Sequence, residues 1–291
     1  MNFIIKKLLN QKGKRQPFLK APLNAPGQST RNDLDDILLA FVMFYLGVPL
    51  LVFFFVIGPN ILRGQLFYVF IQILSLVSIF LFMFFLHGKR LLRKLRNYRI
   101  GYLGEVVIGQ ELEKTRINGY AVFHDIQVDK PGKKTFNIDH VIIGEAGIIV
   151  FETKSKSKNS DGRCEVRIEH GQLNFSDGTY SKDPLEQASR NGKHIQGLIQ
   201  KLVNDSMKES LKVFTADKTI PVISCVAYPG WFADYKSAYD SEVKLTNEIM
   251  VFNFVEHQHK KEKELSQREA NDISDLLDEY LRKQKEYLIE V

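Results

Sequence analysis

The sequence predicts two membrane-spanning helices followed by a domain that mixes strands and helices. Residues 37–57 and 66–86 are two runs of 21 residues without a charged side chain. Short runs rich in Ile and Val, at 136–144 and 148–154, flank a Gly-containing break and read as a buried β-hairpin. Residues 184–203 read as a long helix, and Ile273, Leu276, Leu277, Tyr280, Leu281 and Leu288 recur at helical spacing near the C-terminus.

In chain order, residues 1–35 form a basic N-terminal segment and linker. Residues 3–9, with Lys6 and Lys7, have the composition of a short interfacial turn. Pro17, Pro22, Pro26, Gly27 and Ser29 mark an extended, mobile stretch. Each apolar run that follows is long enough to cross ~30 Å of hydrocarbon as a helix. Residues 36–87 are therefore expected to form a transmembrane hairpin, its first helix kinked at Gly47 and Pro49. The first run starts too far into the chain, and is too long, for a cleaved signal core. Residues 1–32 hold seven Lys or Arg and residues 87–99 hold six, against Arg63 alone in the connection. The positive-inside rule then puts both flanks, and with them both termini, on the cytoplasmic side of the inner membrane. Residues 88–99 read as a basic juxtamembrane helix on anionic headgroups, or as a topology signal alone.

The chemistry lies on the hairpin. If Glu145 and Ala146 form a two-residue loop, position 144 faces 147 and Asp139 falls opposite Glu152, with Cβ atoms ~5 Å apart. Lys154 points to the same face because strand side chains alternate. A three-residue loop with a bulge at Gly147 would separate the acids instead. Two ionised carboxylates at the ends of near-continuous apolar strands repel each other and lose their water. A hard divalent cation such as Mg²⁺ or Mn²⁺ relieves both costs and recruits phosphate oxygens as further ligands. Read without a metal, the same three residues are an ion pair at strand ends.

Around the hairpin, residues 122–128 read as a strand, 164–168 with 173–175 as a second hairpin, and 220–228 as a buried strand ending at Pro229-Gly230-Trp231. Asp183 is placed as a helix N-cap with Pro184 at the first helical position, and Ser266 with Glu269 as a capping box. The C-terminal segment, 261–291, presents its apolar stripe to the domain or to a second copy as a homodimer contact. Trp231 reads as a packing anchor rather than a base-stacking platform. Cys164 and Cys225 make no metal motif and stay reduced in a cytoplasmic setting. His257 and His259 are expected to be solvated, and His140 to face away from Asp139. The sequence contains no internal repeat, phosphate loop or nucleophilic-triad pattern.

The charge balance corrects a tempting inference. The chain carries a net +6, but residues 100–291 hold 26 Lys or Arg against 31 Asp or Glu, a net of −5. Global attraction to nucleic acid is thereby excluded for this part. Phosphate binding must come from local groups such as Lys154, Lys156 and Lys158, or Lys130, Lys133 and Lys134.

Four blocks in order resemble a known family. Gly101-Tyr102-Leu103-Gly104-Glu105 is similar to a Gly-x-x-Gly-Glu opening helix, Ile138-Asp139-His140 to an Ile-Asp-His strand, and Glu152-Thr153-Lys154 to the following acid-x-Lys. Asp183-Pro184-Leu185-Glu186-Gln187, with Asn191, is similar to a later helix that carries a Gln. Together they resemble the nuclease-related (NERD) domain of the PD-(D/E)xK nuclease superfamily, over roughly positions 100–230. The resemblance implies an α/β, restriction-endonuclease-like fold with a mixed central sheet flanked by helices, in a domain spanning 100–260. It implies Mg²⁺ or Mn²⁺ on Asp139, Glu152 and the backbone carbonyl of Thr153, with Lys154 orienting the attacking water or stabilising phosphoryl charge. Glu105 would add a carboxylate or bind a metal-held water, and Gln187 would bind through its amide. Glu105 and Gln187 have structural readings too, as a helix-terminus cap and as a partner of backbone. One departure is the basic stretch at 155–162, where many relatives are shorter and richer in aromatics, and it bears on substrate contacts rather than on metal ligands.

The expected function is thus a membrane-tethered, metal-dependent nuclease acting on nucleic acid, DNA before RNA, at the cytoplasmic face of a lipid bilayer. The alternative is a catalytically inactive nuclease-fold module that binds nucleic acid or a protein there.

Overall fold

The computed structural model describes residues 23–130, 133–158, 162, 164–206, 208–216, 219–238, 240–261 and 263–290. The expected interfacial turn at 3–9, and Pro17 and Pro22 of the expected linker, lie outside these residues. So do the side chains of Lys130, Lys133 and Lys134.

Two long helices come first, α1 (Gln28–Leu62) and α2 (Leu66–Asn118). Each is long and apolar enough to cross a membrane, and only 6% of each apolar window is buried within the protein. A core helix of a water-soluble domain would bury that face instead. The two pack through Tyr45, whose ring meets Phe80 and Phe84 edge-on at 5.7 and 5.9 Å. In α1, near the kink expected at Gly47 and Pro49, a wide π-type turn spans Met43–Gly47, and another spans Phe53–Ile57 ahead of Pro59. Proline lacks the N–H and clashes with the carbonyl four residues back, and a widened turn accommodates both. Residues 88–99 do not form a separate element. With no Pro in this stretch, α2 runs on from the apolar run through the basic stretch and into the domain.

The main sheet has the order β1-β2-β3-β7-β9, formed by β1 (Ala121–Lys130), β2 (Lys133–Gly144), β3 (Gly147–Thr153), β7 (Val222–Ala227) and β9 (Val243–Thr246). Strands β1, β2 and β3 form an antiparallel meander, and β7 and β9 run parallel to β3. A second sheet, in the order β6-β5-β4-β8, holds β4 (Glu165–Glu169), β5 (Gln172–Phe175), β6 (Tyr180–Ser181) and β8 (Phe232–Ala233). One face of the main sheet, with Val141, Ile143, Ile148 and Val150, packs on α3 (Asp183–Asp205) and the C-terminal helix α5 (Gln267–Glu290). The other face, with Ile142, Ile149, Phe151 and Cys225, packs on Ile108 and Leu112 of α2 and on α4 (Val251–Lys261). Helices on both faces explain why the β3 pattern is buried at every position. The architecture is the nuclease-like mixed α/β fold that the sequence predicts.

The C-terminal stripe docks on the domain from Ile273 to Leu281, with Ile273 and Leu277 in the core, while the side chain of Leu288 lies outside the described residues. Ser266 and Glu269 close the expected capping box, Ser266 N–H donating to Glu269 Oε2 at 2.6 Å. Two local expectations are corrected. Asp183 is the first residue of α3 rather than its cap, which is Lys182. At that position the Asp carboxylate complements the positive end of the helix dipole. His259 is not simply solvated: it is partly buried, 3.7 Å from Glu145 and edge-on to Tyr120. Trp231 is fully buried, donates from Nε1 to Lys156 O and meets Phe175, which makes it a packing anchor.

Candidate active site

The loop of the β2–β3 hairpin holds two residues, and Gly144 pairs with Gly147. Gly147 has φ 95, a backbone shape that favours glycine, and a Cβ there would also meet Pro221 O tightly at 3.1 Å. The ladder runs without a slip to His140 opposite Phe151. One step further, the register sets Asp139 across from Glu152, where the strands begin to part. Thr153 N–H closes the gap by donating to Asp139 Oδ2 at 2.7 Å.

The acids are deeply buried, Asp139 6% and Glu152 1% exposed. Lys154 Nζ lies 2.7 Å from Glu152 Oε1. Asn191 of α3 donates to Glu152 Oε2 at 2.8 Å, and Gln187, one turn earlier, hydrogen-bonds the same carboxylate. The block running from Asp183 to Asn191 therefore turns its two amides toward Glu152. Asn191 entered the sequence reading only as part of a motif, without a role.

Glu105 comes from α2. Gly104 lets the helix approach, since a Cβ there would lie 2.0 Å from Ser155 Oγ and 3.0 Å from Pro229 Cγ. The helix thus seats directly on the ends of β3 and β7, and Glu105 enters the cluster 8% exposed. Thr30 Oγ1 donates to Glu105 Oε1 at 2.8 Å, whereas Oε2 is buried without a hydrogen-bond partner among the described residues.

Electrostatics bind the four groups together. Burial, then the charges of Glu152 and Glu105, push Asp139 well above the ordinary carboxylate range. Burial pushes Glu152 up, and the Lys154 ammonium with the Lys154 and Gln187 hydrogen bonds pulls it back in part. Burial, opposed by the Thr30 hydrogen bond and reinforced by Asp125 and Glu152, brings Glu105 to about 7. Burial alone would lower Lys154, but Glu152, Asp139 and Glu105 outweigh it and hold the ammonium charged. Three acids that are costly to ionise together surround one cation of the chain.

Hard oxygen donors in that state fit a divalent cation. Asp139 and Glu152 are the pair of side chains that could offer it oxygens, with Glu105 Oε2, which has no hydrogen-bond partner among the described residues, beside them. Among the described residues no group of three or more His, Cys, Asp or Glu side chains is placed to hold a metal ion together. Mg²⁺ needs only one or two carboxylates, with water and phosphate oxygens completing its shell. Thr153 is at the strand end as expected, and the adjacent Lys154 N–H is fixed on Ala227 O at 2.9 Å.

Other nominated groups serve elsewhere. His140 faces away from Asp139, buried, with Nδ1 2.9 Å from His124 Nδ1. Lys156 pairs with Asp177 at 2.7 Å and lies 3.9 Å above the Phe175 ring. It is a structural cation rather than an open phosphate contact. Sequence reasoning missed Ser29, Thr30, Asp125 and Asn137. The acid Asp125 in the middle of the predicted strand 122–128 was a usable signal, weaker than Asp139 because His124 and Gln127 flank it in a less apolar run.

Neither a curated protein nor a solved structure matches the chain. The family model described as the nuclease-related domain, NERD, matches residues 100–229. That span opens on the Gly101–Glu105 block and takes in Asp139, Glu152, Lys154, Gln187 and Asn191. Residues 100–229 of this chain are a nuclease-related domain of the NERD family.

Proposed function

We propose that this protein is a membrane-tethered nuclease of the PD-(D/E)xK type, dependent on Mg²⁺ or Mn²⁺, that hydrolyses phosphodiester bonds of DNA at the cytoplasmic face. The observation that carries this reading is the buried pairing of Asp139 with Glu152 beside a charged Lys154. Removed from water, such a group is stable as an ion-binding centre and wasteful as packing.

The cation, when bound by Asp139 and Glu152, with the Thr153 carbonyl as a further ligand, would supply positive charge to the scissile phosphate. Hydrolysis needs a water oxygen to attack phosphorus while the bond to the leaving oxygen breaks and that oxygen takes a proton. Lys154, anchored 2.7 Å from Glu152, would stabilise charge on the phosphoryl oxygens or orient the attacking water with its ammonium. Glu105, whose Oε2 is buried without a hydrogen-bond partner among the described residues, would add an oxygen to the cation or hold a water bound to it. Asn191 and Gln187 orient Glu152.

Tethering draws support from two features. The apolar windows of α1 and α2 are almost wholly unburied. In addition, Asn24 and Ser29, before the first apolar run, hydrogen-bond Asp125, after the second. These contacts hold both ends of the helical pair at one domain, which supports the reading that the basic flanks at residues 1–32 and 87–99 share one side of the membrane.

One observation favours the second reading, a binding module without catalysis: both oxygens of Glu152 are engaged, by Lys154 and by Asn191. The test is cleavage by the full chain in lipid nanodiscs of single-stranded, duplex and circular DNA and of RNA, with Mg²⁺, Mn²⁺ or chelator. Metal-dependent cleavage lost in Asp139→Asn and Lys154→Met supports the nuclease. Binding of DNA without cleavage in any metal supports the module, and cleavage that survives both substitutions rejects the site.

A further inference from the structure

The family domain starts at residue 100, yet one contact to Glu105 comes from far outside it. Thr30, in the first turn of α1, donates from its hydroxyl to Glu105 Oε1 at 2.8 Å. This contact is held by a docked segment. Asn24 Nδ2 donates to Asp125 O at 2.6 Å, Ser29 N–H donates to Asp125 Oδ2 at 2.9 Å, and Ser29 Oγ donates to Asp125 Oδ1 at 2.5 Å. Asn137 Nδ2 donates to both Ser29 Oγ and Asp125 Oδ1, at 2.8 and 2.9 Å. Pro26 lies where a Cβ on Gly109 would be, 2.6 Å from its Cγ, and Gly27, at φ 68, lies under the Tyr102 ring.

Asp125 is itself informative. The β1–β2 register would set it across from Asp139, but that pair is missing from the ladder and Asp125 has φ 48. A buried non-glycine residue in the left-handed region persists only where its surroundings fix it. Here Ser29, Asn24 and Asn137 do so, and its carboxylate is shared between Ser29, before the first apolar run, and Asn137 of β2. The expected mobile linker is thus, from residue 23 on, a built part of the domain.

We propose that Thr30 is a positioning residue of the metal site, completing from the N-terminal helix a centre otherwise drawn from the family domain. Its hydroxyl occupies Oε1 of Glu105 and leaves Oε2 as the one oxygen offered to a divalent cation or to water held by it. Groups of this kind behind a metal ligand are each worth about 10- to 100-fold in metal affinity. The inference rests on the nuclease reading above and adds to it that the site is composite. A fragment beginning at residue 100 would lack one of its parts.

The test is equilibrium binding of Mn²⁺ to the full chain in nanodiscs, followed by electron paramagnetic resonance, for the parent, Thr30→Val and Thr30→Ser. Valine keeps the shape and loses the hydroxyl; serine keeps the hydroxyl and loses the methyl. Binding about tenfold weaker in Thr30→Val, with near-parent binding in Thr30→Ser, is the expected result. A packing role would reverse that order. Parent-like binding in Thr30→Val, or Thr30→Ser as weak as Thr30→Val, overturns this proposal while leaving the nuclease reading intact. A parent that takes up no Mn²⁺ overturns the metal reading and this proposal with it.

Discussion

Replacing Glu105 by Gln should make the metal-free protein more stable at high pH. Glu105 is 8% exposed, and burial with the charges of Asp125 and Glu152 raises it from 4.5 to about 7. A carboxyl whose pKa is higher folded than unfolded binds its proton more tightly when folded. Its contribution is complete below pH 4.5 and is lost as the pH rises through about 7. The separation of about 2.5, at about 1.4 kcal/mol each, gives on the order of 3 kcal/mol at pH 8. Glutamine keeps the shape and the acceptor for Thr30 and never ionises. The stability difference, Glu105→Gln minus parent, should therefore be near zero at pH 4 and rise to about 3 kcal/mol by pH 8. Taking the difference also removes His140 and His124, lowered by burial, since both proteins contain them. Denaturant titration in chelator, followed by fluorescence of the buried Trp231, the single Trp of the chain, reads the unfolding of this domain. A variant less stable than the parent at pH 8, or a difference that does not change with pH, would refute the reasoning.

Three further outcomes are expected. Lys154→Met should lower the cleavage rate by about 10²–10³-fold, the usual cost of one charge-stabilising donor, with measurable DNA binding retained in a gel-shift assay. Asn191→Leu should cost about 1.5–3 kcal/mol in the same denaturation assay, because Glu152 loses a hydrogen bond in a buried site. Gly109→Ala should cost about 1–3 kcal/mol by overpacking, since the new Cβ meets the rigid Pro26 ring. Hydrogen exchange at the Ser29 amide, bonded to Asp125 in the parent, should accelerate in that variant.

The hairpin and its acids were legible in the sequence because several local rules agree there. Ile- and Val-rich runs fix two buried strands, a two-residue loop fixes the register, and the period of two then sets Asp139, Glu152 and Lys154 on one face. The capping box at Ser266 and the docking stripe of α5 were legible for the same reason. The clamp around Asp125 was not, because Ser29 and Asp125 stand 96 positions apart and nothing local joins them. The closing strands β6 and β8 have two residues each, too few to show a period. The continuity of α2 was hidden by composition, which shifts from apolar to basic at Lys89 while the helix goes on unbroken. Asp183 fell inside its helix instead of capping it, a shift of one residue of the kind that terminal turns show.

The central claim is that Asp139 and Glu152 share one hard cation. It is tested most directly by the stoichiometry of Mn²⁺ uptake by the full chain, measured for the parent, Asp139→Asn and Glu152→Gln at pH 8. One ion per parent chain at the domain, lost in both variants, is the predicted result. Equal uptake by all three proteins would contradict the account.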